Sequence, residues 1–181
     1  MTEELNKRDR LPDALRVLLQ DYPREAWESH PDFGGLVQFW LERHIMFRKL
    51  TEVLRTDAEA AMDGKLDPQQ QKARVSRYGG MLLQELHGHH QIEDHHYFPV
   101  LAEMDKRLVR GFDILDKDHH AMDGLLNSFA ESANGVLQDR TELGVFREEV
   151  LGFDALLSRH LEDEEDLIVP VILKHGTGGL H

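Results

Sequence analysis

The chain is expected to fold as an all-α protein, an antiparallel up-down-up-down four-helix bundle with an extra short N-terminal helical segment. Three observations predict this. Apolar residues recur at three- and four-residue spacing along most of the 181 residues. No stretch alternates apolar and polar residues, or concentrates β-branched ones, as a strand would. Helix-breaking punctuation is sparse and widely spaced, and short connections between long amphipathic helices make antiparallel neighbours.

The elements follow in order. A short helical segment is expected around 11–20, then a long helix near 32–63 that stops at Gly64 in "MDGKLDP". Asp67 as N-cap and Pro68 at the first helical position begin a second long helix, 68–104. The stretch "DKRLVRG" separates it from a third, 109–134, and "SANGVLQDRT" precedes a fourth, 141–174. That helix closes in "KHGTGG", where a glycine follows Lys174 and His175 as helix C-termini prefer. The expected division is an N-terminal extension packed on the bundle (1–30), the bundle domain (31–175) and a tail (176–181).

Composition narrows the function classes. Hydrophobic residues make up 40% and charged residues 30%, as in a globular domain of a size that buries a substantial core. With 34 acidic against 21 basic residues the formal charge is −13, which repels nucleic acid and anionic membrane. Cysteine is absent, so disulfides, thiol catalysis and thiolate metal sites are excluded. No apolar run approaches the roughly 18 residues that would cross a bilayer. The opening "MTEELNKRDRLPDALRVLLQ" lacks the apolar core of a secretory signal. A cytoplasmic location without nucleic-acid or membrane partners is expected.

The informative feature is where polar residues interrupt the apolar stripes. In the fourth helix Phe153, Leu156, Leu157, His160, Glu164, Leu167 and Val171 share one side at 3.6 residues per turn. The second repeats the arrangement with Leu82, Leu86, His89, Ile92, Glu93 and His96. His44 lies among Val37, Trp40, Leu41, Phe47, Thr51 and Leu54, and His119 among Phe112, Leu115, Met122 and Leu126. Each long helix therefore turns a histidine toward the core. His89 and His160 have a glutamate one turn later, and His119 has Asp123 at the same offset. Unpaired ions inside a bundle cost several kcal/mol each, so the fold needs a strong compensating interaction. A cation ligated by imidazole and carboxylate supplies it.

Two segments also form an internal repeat. "HHQIEDHHYFP" and "HLEDEEDLIVP" both read H-x3-E-x5-P, from His89 to Pro99 and from His160 to Pro170. With His44 and His119, this pattern resembles the hemerythrin family, in particular its bacterial HHE cation-binding branch. The resemblance runs from about 30 to 174. A ferritin-like di-iron bundle would need two E-x-x-H pairs, and Glu93-x-x-His96 is the only one in the chain.

Imidazole suits iron, zinc, copper and nickel, and carboxylates can bridge two cations. The resemblance implies a non-haem centre of two iron ions, with zinc as the alternative occupant. It implies Glu93 and Glu164 as bridging carboxylates and His44, His89, His119 and His160 as terminal ligands. Oxygen-carrying hemerythrins have H-x3-H on the third helix, where this chain has Asp123. Asp123 and His90 are the two candidates to replace the missing imidazole.

Helix phase sorts the remaining polar residues. His120 shares a side with Asp113, Asp116 and Gly124 and is expected in solvent, as are His87, His95 and the acidic face of Glu162, Asp163 and Glu165. His96, one heptad after His89, is expected to point inward, either supporting a ligand by a hydrogen bond or satisfied within the core. His30, His175 and His181 are expected to be structural or idle.

An open coordination position beside Phe47, Met122, Leu126 and Phe153 would admit dioxygen, nitric oxide or peroxide and limit water. Reversible binding or sensing of such a ligand is the first reading. A peroxidase- or oxidase-type enzyme on the same site is the second, and a zinc-bound or metal-free interaction bundle the third.

Overall fold

The computed structural model describes residues 3–180, so the expectation for His181 lies outside the described residues. These residues are helical or lie in short connections, and no strand occurs among them. The helices are α1 (Val17–Asp21), α2 (Arg24–Trp27), α3 (Leu36–Met62), α4 (Pro68–Arg74), α5 (Gly80–Ile92), α6 (Phe98–Met104), α7 (Val109–Leu137) and α8 (Leu143–His175). A 3-10 turn at Asp13–Leu15 precedes α1, and another at Lys106–Leu108 precedes α7. No helix among the described residues is long and apolar enough to cross a membrane.

Local chemistry explains most boundaries. Gly64 ends the turn after α3 with a φ of 71°, a conformation that costs a side chain dearly and glycine nothing. Asp67 caps α4 as the sequence predicts, its Oδ2 accepting from the amides of Gln69 at 3.0 Å and Gln70 at 3.2 Å. Within "SANGVLQDRT", α7 continues three residues past the expected stop, because Ala133 and Val136 are buried. A Cβ on Gly135 would meet Thr141 Oγ1 at 2.0 Å, so glycine is required for that close approach.

The expected helix over 68–104 differs in one respect that matters for the site. Two five-residue π-helical segments interrupt it, Val75–Gly79 between α4 and α5 and Glu93–Tyr97 between α5 and α6. A π turn takes up one more residue than an α turn, so the phase of everything beyond it shifts. The second segment ends two residues before Pro99, and its wider turn relieves the clash a proline ring makes with a preceding carbonyl. Pro170, its counterpart in the repeat, lies within a continuous α8.

Contacts divide the chain into two compact units whose boundaries fall inside α3, α5, α7 and α8. One comprises residues 1–44, 90–120 and 158–181. Its core gathers Trp40, Phe98, Phe112, Leu115, Leu167 and Ile172 together with Leu11, Leu15, Leu18 and Trp27 of the N-terminal region. Leu180, in the expected tail, is buried in the same cluster. The other unit, residues 45–89 and 121–157, has a core that includes Phe47, Leu54, Leu82, Met122, Leu126, Phe129, Phe146 and Phe153. The Phe129 ring stands 6.0 Å from Phe146 and 5.8 Å from Phe153, within the range of favourable aromatic pairs.

Candidate metal centre

Helical phase places an unusual number of polar groups out of water. Glu93, His160, Asp163 and Glu164 are 0% exposed, and His44, His90 and His119 are 2% exposed. His44 comes from α3, His90 from α5, Glu93 from the π turn after it, His119 from α7, and His160 and Glu164 from α8. All of these belong to the first unit; His89, also buried, is the adjoining residue of α5 and the last of its segment of the second. Burial of this many imidazoles and carboxylates is unfavourable without an organised set of partners.

The partners are geometric neighbours of Glu164. Its Oε1 is 3.1 Å from His44 Nε2, and its Oε2 is 3.0 Å from His160 Nε2 and 3.9 Å from His119 Nε2. Glu93 presents Oε2 to His119 Nε2 at 3.3 Å, while its Oε1 accepts a 2.8 Å hydrogen bond from the Trp40 indole. His119 and His160 face each other with Nε2 atoms 3.2 Å apart, and the His90 ring stacks on His119 at 3.9 Å between centroids.

Two sets of ligand-type atoms result, each drawn together within 4.8 Å: His90, His119 and His160, and His44, His89, Glu93 and Glu164. Either set can hold a metal ion. All the donors are nitrogen or oxygen, which suits a borderline cation such as iron or zinc.

The outer nitrogens of three imidazoles are also occupied. His44 Nδ1 lies 2.9 Å from Glu165 Oε1, His119 Nδ1 2.6 Å from Asp94 Oδ1, and His160 Nδ1 3.0 Å from Asp118 Oδ2. A carboxylate at Nδ1 fixes that nitrogen as the donor and leaves Nε2 facing the interior, the orientation a metal-binding imidazole takes.

The electrostatics follow from this packing. Burial alone would lower the His119 pKa, but hydrogen bonds to Asp94, Glu164 and Glu93 outweigh it and push it up to about 12. Burial likewise opposes the charged form of His160, and Asp118 and Glu164 raise its pKa above the ordinary value. Burial would raise Glu164, yet the imidazoles of His44, His119 and His160 hold it well below the usual carboxylate range. A metal ion bound at an imidazole Nε2 would compete with a proton for that nitrogen, so metal affinity should fall as the pH falls.

Seven of the eight residues expected at the site from sequence lie in these two sets: His44, His89, His90, Glu93, His119, His160 and Glu164. Of the two candidates for the missing imidazole, His90 stands with His119 and His160. Asp123 belongs to neither set; it is half exposed, with its carboxylate 3.9 Å from His87 Nδ1. His120 is 74% exposed, on the outer side that helix phase predicts.

Three expectations require correction. His96 is exposed and contacts the Leu180 carbonyl at 3.3 Å instead of supporting a ligand, because the π turn rotates it away from the heptad position. Ile92, expected in the same inward stripe, is 55% exposed. Asp163 and Glu165 do not form a solvated acidic face: they are 0% and 5% exposed. The N-terminal region covers them, which α8 periodicity cannot reveal. Asp94, Asp118 and the arginines that meet these carboxylates escape sequence reasoning. The available signal is their adjacency, since Asp94 follows Glu93 and Asp118 precedes His119.

Comparison with curated proteins and with solved structures found no match. The hemerythrin HHE cation binding domain matches residues 35–172, the span that carries all the residues of both sets. The chain belongs to the hemerythrin HHE cation-binding family.

Proposed function

We propose that this chain is a di-iron protein that binds or senses a small oxidant, with dioxygen, nitric oxide and peroxide as the ligand class. The observation that carries the reading is Glu164, whose two carboxylate oxygens face imidazoles of different sets. One cation would be held by His90, His119 and His160, the other by His44 and His89, with Glu93 and Glu164 shared between them. Zinc is the alternative occupant. Iron in such a site supplies reversible redox chemistry and coordination of a small ligand.

The chain's own residues do the rest. Asp94, Asp118 and Glu165 hold three imidazoles by Nδ1, and Trp40 holds Glu93, so the donors stay oriented in the absence of the cation. Beside His44 and Glu164, the side chains of Trp40, Leu41, Ile168 and Val169 surround a cavity of about 10 Å³. That is close to the smallest space that admits one water-sized molecule, which favours a diatomic guest over a larger substrate. A cytoplasmic setting belongs to this reading, supported by the absence of cysteine.

Anaerobic reconstitution with ferrous iron, followed by exposure to oxygen or nitric oxide, tests the proposal. A spectral change that reverses when the gas is removed supports binding. Sustained consumption of peroxide with a reductant would assign an enzyme instead. Failure to retain iron would overturn both.

A further inference from the structure

The arginines of the N-terminal region reach the centre by two parallel routes. Arg8, 5% exposed, makes a two-point ion pair with Asp118, through Nη1 at 2.8 Å and through Nη2, and its Nε donates to Asp163 at 2.8 Å. Asp118 in turn holds His160 Nδ1. Arg24 donates through Nη1 to Glu165 at 3.0 Å and through Nε to Asp166 at 2.8 Å. Glu165 in turn holds His44 Nδ1. Each route runs guanidinium, carboxylate, imidazole, and each ends on one set of the candidate centre.

The segment around Arg8 is itself pinned. Leu11 donates its amide to Asp163 at 3.2 Å, and Arg159 of α8 donates to both Asp163 and the Asp9 carbonyl. Arg24 is fixed by its guanidinium over the Trp27 ring at 4.8 Å. A planar fork matched to a carboxylate gives a fixed direction that a single point charge does not.

We infer that Arg8 and Arg24 are positioning residues for the two halves of the metal centre, Arg8 acting on His160 through Asp118 and Arg24 on His44 through Glu165. The N-terminal region thereby becomes part of the site, and its docking and metal loading favour each other reciprocally. This rests on the proposed metal-binding reading.

Cobalt titration of Arg8→Met and Arg24→Met, with imidazole ¹⁵N spectra of the metal-free proteins, tests it. Arg8→Met should weaken one of two cobalt ions by roughly 10- to 100-fold and shift the His160 resonances. Arg24→Met should weaken the other ion and shift those of His44, by less because its side chain is 40% exposed. Lysine at either position should restore part of the loss, and Arg10→Gln, at an exposed pair with Asp13, should change neither ion.

If the two variants weaken both ions alike, or leave both unchanged, the inference is overturned. Wild-type protein that takes up no cobalt or iron would overturn the metal reading, while the imidazole resonances would still decide whether each arginine acts on its histidine. Should Arg8→Met fail to fold, Arg8→Lys carries the same spectral comparison.

Discussion

Glu164 and His120 mark the two extremes of what a single side chain does here. Glu164 is 0% exposed and lies within 4 Å of three imidazole nitrogens, whereas the side chain of His120 is 74% exposed. Glu164→Ala should therefore abolish loading of two metal ions, measured as metal per chain, and His120→Ala should leave it unchanged. Trp40 gives an intermediate case. Trp40→Phe removes a hydrogen bond to a buried carboxylate oxygen, so the metal-free protein should lose about 2 kcal/mol in denaturant unfolding. At this scale the four helix histidines and both glutamates were legible in sequence, because each interrupts an apolar stripe. Asp94, Asp118, Arg8 and Arg24 were not, since their roles depend on partners distant in the chain.

Among the elements, the π segment Glu93–Tyr97 separates what periodicity shows from what it misses. Up to Glu93 the α-helical phase turns His89 and Glu93 inward as found, although Ile92 of the same stripe is exposed; beyond it the same phase wrongly turns His96 inward. Helix ends were more legible, because caps act locally. Asp67→Ala should cost about 1 kcal/mol, seen as a lower thermal midpoint, through loss of the two amide bonds at the start of α4.

Asp105, which caps the 3-10 turn before α7, supplies the pH dependence. Hydrogen bonds from Arg107 outweigh burial and lower its pKa from 3.8 to about 2. Its folded-state pKa is depressed, so its contribution is complete above about pH 4 and is lost as the pH falls toward 2. Asp105→Asn should flatten the acid limb of stability over that window in unfolding measured from pH 5 to pH 2.

For the whole molecule, the all-helical class and the family follow from periodicity and one repeated motif, and the family match over residues 35–172 agrees with both. The placement of the N-terminal region does not, because no periodic signal announces that Leu11, Leu15 and Trp27 join the core of the first unit. Nor does the acidic balance of −13 reveal that part of it, Asp118 and Glu165, is buried against imidazoles. Metal binding to the folded state alone stabilises it by about 2.7 kcal/mol at a free metal concentration 100 times Kd, so chelation should lower the thermal midpoint of the loaded protein. The most direct test is iron per chain after anaerobic reconstitution and removal of loosely bound metal. Two ions per chain, lost together in Glu164→Ala, are predicted; a wild-type protein that retains none, or a Glu164→Ala variant that still retains two, would contradict the account.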